Sequence, residues 1–237
     1  MDKKVNLHEH HRQRMKNRAL IEGLDNFEPH NVLELMLFFV LPQVDTNDIA
    51  HELINRFGSF EAVFNAPIEE LIKITGVKHH AATFLKLLPE FSRYYAQEQA
   101  NPKVIKRPTK EQIAEMFLSY FIGRTDETVV CMFLDDKGCL IDTKTMFSGT
   151  INSVSFSYRQ LVNEALCLNA YKVAVAHNHP SSAPIPSRDD IDTFRNLKKS
   201  LAQMHIELID SYVVAAGKCV GTESFMFSAE GKSIPIS

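Results

Sequence analysis

The stretch Tyr171–Asp190, YKVAVAHNHPSSAPIPSRDD, constrains the fold more than any other part of this 237-residue chain. Tyr171 to Ala176 is short, apolar and β-branched enough to read as a buried strand. Residues two apart on a strand point to the same face, so His177 and His179 aim two imidazoles at one place. Pro180, Pro184 and Pro186 stiffen the loop that follows, and Ser187 and Asp190 open a helix. Two neutral imidazoles and one carboxylate, with a fourth place left for water, make the ligand set of a catalytic zinc site. A plainer reading stands beside it. Ser187-x-x-Asp190 is also the spacing of a helix capping box, which needs no metal, and loop histidines alone are usually surface polar residues. On the metal reading Asp190 faces the ion from the first helical turn. Ser187 still caps the helix and can turn its hydroxyl to a bound substrate oxygen.

Before this segment the chain has two textures. The first hundred residues predict helices only. Val32 to Leu41 is apolar almost all round, as in a buried helix stopped by Pro42. Asn47 or Asp48 is the expected cap of a second helix through Ile49, Leu53, Ile54 and Phe57, ended by Gly58. Short elements at 59–64 and 69–74 precede Gly76, and 81–95 is helical with an interruption expected at Pro89. The polar stretch 97–108, with two prolines, marks the boundary, giving a helical domain at 1–100, a linker at 101–108 and a second domain at 109–237. In the second domain Thr109 and Gln112 have capping-box spacing ahead of a helix. Strands are expected at 128–134, 139–147, 171–176 and 206–215, with helices at 157–168 and around Ile191–Leu201. Interleaved strands and helices predict an α/β sandwich on a mixed sheet.

Composition narrows the function classes. Hydrophobic residues at 45% and charged residues at 23% suit a folded chain with a core. No apolar run approaches the roughly 20 residues that span a bilayer, and the N-terminus has no apolar signal region. No membrane association is expected. The four cysteines form no CxxC pair, against a cysteine zinc ribbon or a disulfide framework, so a cytoplasmic location is expected. A net charge of −3 is not that of a protein that holds nucleic acid by charge alone. The one basic cluster (Lys3, Lys4, Arg12, Arg14, Lys16, Arg18) lies in a segment expected to be a frayed, solvated terminus.

The run HNHPSSAPIPSRDD resembles the JAMM (MPN+, JAB) metalloprotease signature: His-x-His, seven residues, Ser-x-x-Asp. The flanking SGTINSVSFSYRQLVNEALCLNAYKVAVAHNHPSS resembles the bacterial RadC family in particular. So do ELMLFFVLPQVDTNDIA, RFGSFEAVF and ITGVKHHAA of the N-terminal block, the last where that family has a helix-hairpin-helix. The resemblance spans nearly the whole chain. The departures are Ser182 where the family usually has glycine, Tyr158-Arg159-Gln160 for Pro-Arg-Glu, and Ile209-Asp210-Ser211 for Leu-Asp-His. None removes a metal ligand. In the hairpin, Gly76 is followed by Val77 and Lys78, so the second glycine of a phosphate-gripping turn is missing.

The resemblance implies an α+β chain: a small helical, helix-hairpin-helix-like domain, then a JAB/MPN domain with a mixed β-sheet flanked by helices. It implies one zinc per chain on His177, His179 and Asp190, and an upstream glutamate to handle the proton of the water. Glu127 and Glu164 are the candidates, and Glu127 is preferred because the family's glutamate immediately precedes the first strand of the core. Glu127 as base and Ser187 as oxyanion donor would then serve a zinc-dependent peptidase or isopeptidase acting on an unidentified peptide or protein. The alternative is a DNA-associated repair or recombination accessory protein with a structural or vestigial metal site. The acidic balance and broken hairpin lead to an expectation of weak DNA binding at most.

Overall fold

In the computed structural model the described residues are 7–42, 44–100, 107–149, 158–180 and 183–228. Lys3 and Lys4, most of the SGTINSVSFS stretch, most of the expected linker and Ser182 lie outside them. The chain divides into two units, Met1–Phe91 and Ser92–Ser237, and the division falls within one helix.

In the first unit every described element is helical, as its apolar spacing requires. The elements are α1 (Leu7–Glu22), α2 (Pro29–Val40), α3 (Asn47–Phe57), α4 (Phe60–Asn65), α5 (Ile68–Leu71) and α6 (His79–Ala100). Leu33, Leu37, Ile49, Leu53, Val63, Leu71, Ile74, Val77 and Leu85 form the buried core. Gly58 ends α3 in the left-handed conformation that glycine adopts without strain. Three local expectations change. The N-cap position of α3 is Thr46, whose side chain makes no capping bond, while Asn47 already lies in the helix and its side-chain amide donates to the buried carboxylate of Glu34 at 3.1 Å. Pro89 does not interrupt α6, which continues for eleven residues beyond it. The N-terminal segment is ordered as α1 from Leu7 onward. Arg12 donates to the carbonyls of Leu41 and Pro42 at 2.8 and 2.7 Å and lies over the Phe38 ring, and His11 pairs with Glu34 at 3.0 Å. These bonds satisfy carbonyls at the end of α2 that would otherwise have no helical partner. At the turn before α6, a Cβ on Gly76 would stand 2.7 Å from Ile49 Cδ1, and φ there is +90°. The turn therefore needs this glycine for packing, while Val77 is buried in the core and Lys78 is exposed.

The second unit is α7 (Lys110–Tyr120), β1 (Glu127–Leu134), β2 (Leu140–Gly149), α8 (Tyr158–Cys167), β3 (Lys172–Asn178), α9 (Arg188–Gln203), β4 (Glu207–Ala215), β5 (Lys218–Gly221) and α10 (Glu223–Ser228). The sheet order is β2-β1-β3-β4-β5. It is mixed: β3 and β4 are parallel and joined through α9, and the other pairs are antiparallel. Alternation along the strands builds two cores. Cys131, Phe133, Val173, Val175 and Leu208 pack under α8 and α9 on one face. Val130, Met132, Ala174, Ala176, Tyr212 and Val214 pack against Ile113, Met116 and Phe117 of α7 on the other. A register shift in the β3–β4 pairing, between Val173 and Val175, exchanges the parity of β4, so Tyr212 and Val214 share the α7 face. The short edge strand β5 and α10 have no counterpart among the predicted elements. Among the described residues no helix is long and apolar enough to cross a membrane, and all four cysteines are free.

Candidate metal centre

The β1–β3 ladder ends at the pair Val129–His177. Continuing that register by two residues sets Glu127 across from His179, so Glu127, Val129, His177 and His179 belong to the sheet face that α8 and α9 cover. The partly buried Val129 packs into that same core. Beyond Asn178 the chain stays tied to β4 through a bond from the His179 amide to the Val214 carbonyl, 2.8 Å long. α9 then starts beside this strand end. Ser187 is its N-cap: the hydroxyl accepts from the Asp190 amide at 3.1 Å, and the Asp190 carboxylate accepts from the Ser187 amide at 2.7 Å. The capping box fixes Asp190 in the first turn.

These elements bring three ligand atoms together. His177 Nε2 is 3.0 Å from His179 Nε2 and 3.1 Å from Asp190 Oδ1, and His179 Nε2 is 3.4 Å from Asp190 Oδ2. Among the described residues this is the one group of three or more His, Cys, Asp or Glu side chains able to hold a metal ion. The donor set fits zinc. Bonds of about 2.0–2.1 Å in a tetrahedron put neighbouring ligand atoms about 3.3–3.4 Å apart, close to the separations here. The three side chains are 17–21% exposed, so the cluster keeps an open side where a fourth ligand can enter.

Electrostatics follow the geometry. Burial works against the Asp190 charge, but hydrogen bonds from His177, His179 and Ser187 outweigh it and hold this carboxyl far below the usual range. His179 is raised, chiefly by its bond to Asp190, against a smaller lowering by burial. The charges of Asp190 and Glu127 add to the rise, as does a hydrogen bond to the Ala183 carbonyl. With Nε2 turned to the cluster, Nδ1 is the nitrogen left for that carbonyl. Such a bond leaves the Nε2 lone pair for a metal.

Glu127 stands at the start of β1, two residues before the Val129–His177 pair. Glu164, its rival in the sequence, lies on α8 and pairs with Lys144 of β2 at 2.6 Å. That ion pair engages it away from the cluster. Asn178, between the two histidines, had no role in the sequence reading. It is 5% exposed and bonded to the backbone on both sides of Glu127. Strand alternation, which turns the middle residue of His-x-His to the opposite face, was the signal that pointed to it.

Residues 107–228 match the family model described as the RadC-like JAB domain. The chain is 33% identical over 210 residues to the UPF0758 protein FN0909 of Fusobacterium nucleatum, covering 86% of this chain and 90% of that one. It is 31% identical over 224 residues to the UPF0758 protein SPO0054 of Ruegeria pomeroyi, covering 93% and 96%. A third relative, the UPF0758 protein BTH_I0781 of Burkholderia thailandensis, is 32% identical over 219 residues, covering 91% and 80%. A JAB-domain match over the second unit, relatives aligned along most of both chains, and a helical first unit followed by a mixed sheet place this protein in the RadC family.

Proposed function

We propose that the second unit is a zinc-dependent hydrolase of peptide or isopeptide bonds, with His177, His179 and Asp190 as the metal ligands. The observation that carries this reading is the convergence of the three partly exposed ligand atoms at 3.0–3.4 Å. When bound in such a set, zinc acts as a Lewis acid and lowers the pKa of a coordinated water toward about 7.

The chain's own residues supply the rest. The Glu127 carboxylate takes a proton from the attacking water as its oxygen adds to the substrate carbonyl carbon. It returns that proton to the leaving nitrogen as the carbon–nitrogen bond breaks. Ser187 Oγ is held by the Asp190 amide, and its own proton is directed to Asp190 Oδ2 at 2.6 Å. Rotation about the Cβ–Oγ bond redirects that proton to the developing oxyanion while the oxygen stays in place. One donor of this kind is worth about 10²–10³ in rate. The substrate is a peptide or protein of unidentified sequence.

The test uses the full chain. Elemental analysis should find one zinc per chain, lost in His177→Ala and Asp190→Ala. Hydrolysis of a fluorogenic peptide library and of isopeptide-linked substrates is then compared with Glu127→Gln. That variant should keep its zinc and lose at least about a hundredfold in rate. Full zinc in both ligand variants, or full activity in Glu127→Gln, would overturn the assignment.

A further inference from the structure

We infer that Asn178 is a positioning residue for Glu127, its carboxamide standing in for the strand ladder where β1 and β3 part. This rests on the hydrolytic reading of the same site.

The pairing of β1 with β3 stops at Val129–His177. One residue further along, the Asn178 side chain reaches across to the β1 backbone. Its Oδ1 accepts from the Thr128 amide at 2.7 Å, and its Nδ2 donates to the Asp126 carbonyl at 3.0 Å. A carboxamide carries the same donor and acceptor as a peptide group, so it can replace one rung of the ladder from the side. The two anchor points flank Glu127 in sequence. Glu127 therefore sits on a dipeptide held at both ends by one residue.

The clamp is rigid for reasons visible around it. Asn178 is 5% exposed and Thr128 is fully buried. The Thr128 hydroxyl adds a second bond to the Asp126 carbonyl at 3.2 Å. On its outer side the β1 end is paired with β2 through Glu127–Gly149 and Thr128–Ser148. Alternation turns Asn178 away from the histidine face, so it touches neither a substrate nor a metal there. It acts only through the backbone that carries Glu127. The asparagine thus holds the backbone on both sides of the base. A displacement of about 1 Å in such a group can cost about a hundredfold in rate.

The test measures the coupling between Glu127 and the metal site without a substrate. Wild type, Glu127→Gln, Asn178→Ala, Asn178→Ser and the Asn178→Ala/Glu127→Gln double variant are loaded with Co(II) as full-length proteins. The visible d–d absorption is followed across pH, and the midpoint of its change is recorded. Asn178→Ala should bind one cobalt per chain and shift the midpoint in the same direction as Glu127→Gln, by at least half as much. The double variant should match Glu127→Gln alone, because a clamp has nothing to position once the carboxylate is gone. Asn178→Ser, too short to span both anchors, should follow Asn178→Ala and carries the test if the alanine variant does not fold. An asparagine variant that keeps the wild-type midpoint while Glu127→Gln shifts overturns the clamp and leaves the hydrolytic reading standing. A wild type that takes up no cobalt, or a Glu127→Gln midpoint identical to wild type, overturns the hydrolytic reading and the clamp with it.

Discussion

Asp190→Ala should separate the structural role of this carboxylate from its role toward a metal, because the two have different magnitudes. Without metal, Asp190 contributes the second half of the α9 capping box by accepting from the Ser187 amide at 2.7 Å. Loss of a cap costs about 1 kcal/mol. For a chain of this size that is a fall of about 2–4 °C in Tm. Zinc at a hundred times its Kd stabilises a native protein by about 2.7 kcal/mol, so wild type should rise by about 5–11 °C on the same conversion. The variant, with one of three ligands gone, should rise by less than about 2 °C at that zinc concentration. Glu127→Gln should rise as much as wild type, since Glu127 is a base and not a ligand. Differential scanning calorimetry of the three proteins, first with chelator and then with excess zinc, gives all six numbers. A zinc-dependent rise in Asp190→Ala equal to that of wild type would refute the ligand assignment. A rise lost in Glu127→Gln would mean that Glu127 ligates.

Glu164→Gln should cost no more than about 1 kcal/mol by chemical denaturation, because its pair with Lys144 is over a third exposed on both sides; it should leave zinc content and hydrolysis unchanged, and a loss of activity comparable to Glu127→Gln would reverse the choice of base. Gly221→Ala should lower stability by about 1–3 kcal/mol, since the new Cβ would stand 2.5 Å from Asp210 Oδ2; an unchanged denaturation midpoint would show that Asp210 moves freely. Asp210 itself is raised, first by burial, against the amides of Ser211 and Glu223 that lower it. The native state thus holds a proton that the unfolded chain releases. Stability is lost as pH climbs from the unfolded value near 3.9 through the raised native one, so Asp210→Asn should gain on wild type over that window in urea titrations, and a constant difference across pH would contradict this. In fluorescence anisotropy at near-physiological salt, the full chain should bind duplex DNA no tighter than about 10⁻⁴ to 10⁻⁶ M; nanomolar binding lost in Lys78→Glu would reinstate the hairpin as a nucleic-acid clamp.

What was legible in the sequence divides by the range of the contact that decides it. Helices α2, α3 and α7, strands β1 and β3, and the α9 start were readable because apolar period, cap and stop lie within one segment. Helix α1 was not. Its hold on the first unit comes from Arg12 on the Leu41 and Pro42 carbonyls and from His11 on Glu34, all more than twenty residues away, and it has no apolar stripe. The same limit applied to the two glutamates. The family resemblance favoured Glu127, and the mid-helix spacing of Glu164 is where an ordinary exposed carboxylate is expected. In the structure the two are placed differently: Lys144 of β2 comes to Glu164 of α8, while Glu127 lies two residues beyond the Val129–His177 pair at the histidine end of the sheet. The parity change in β4 depends on a register shift against another strand, which no single-strand pattern shows.

The sequence offered capping box and metal ligand as competing accounts of Ser187-x-x-Asp190; the structure shows the capping box, with the same carboxylate facing two imidazoles. A carboxylate has two oxygens and about four lone-pair sites. Oδ2 of Asp190 accepts from the Ser187 amide and hydroxyl, and Oδ1 lies 3.1 Å from His177 Nε2. Oδ2 is thus engaged by the helix start and also lies 3.4 Å from His179 Nε2, while Oδ1 is turned toward His177. The cap is what makes the proposed ligand rigid: bonds from the Ser187 amide and hydroxyl hold the Asp190 side chain, so little side-chain freedom remains to be lost when an ion binds. Helix initiation and ligand placement need the same rotamer. For that reason Ser187→Ala should weaken zinc affinity as well as the helix, even though the hydroxyl is not itself among the three ligands.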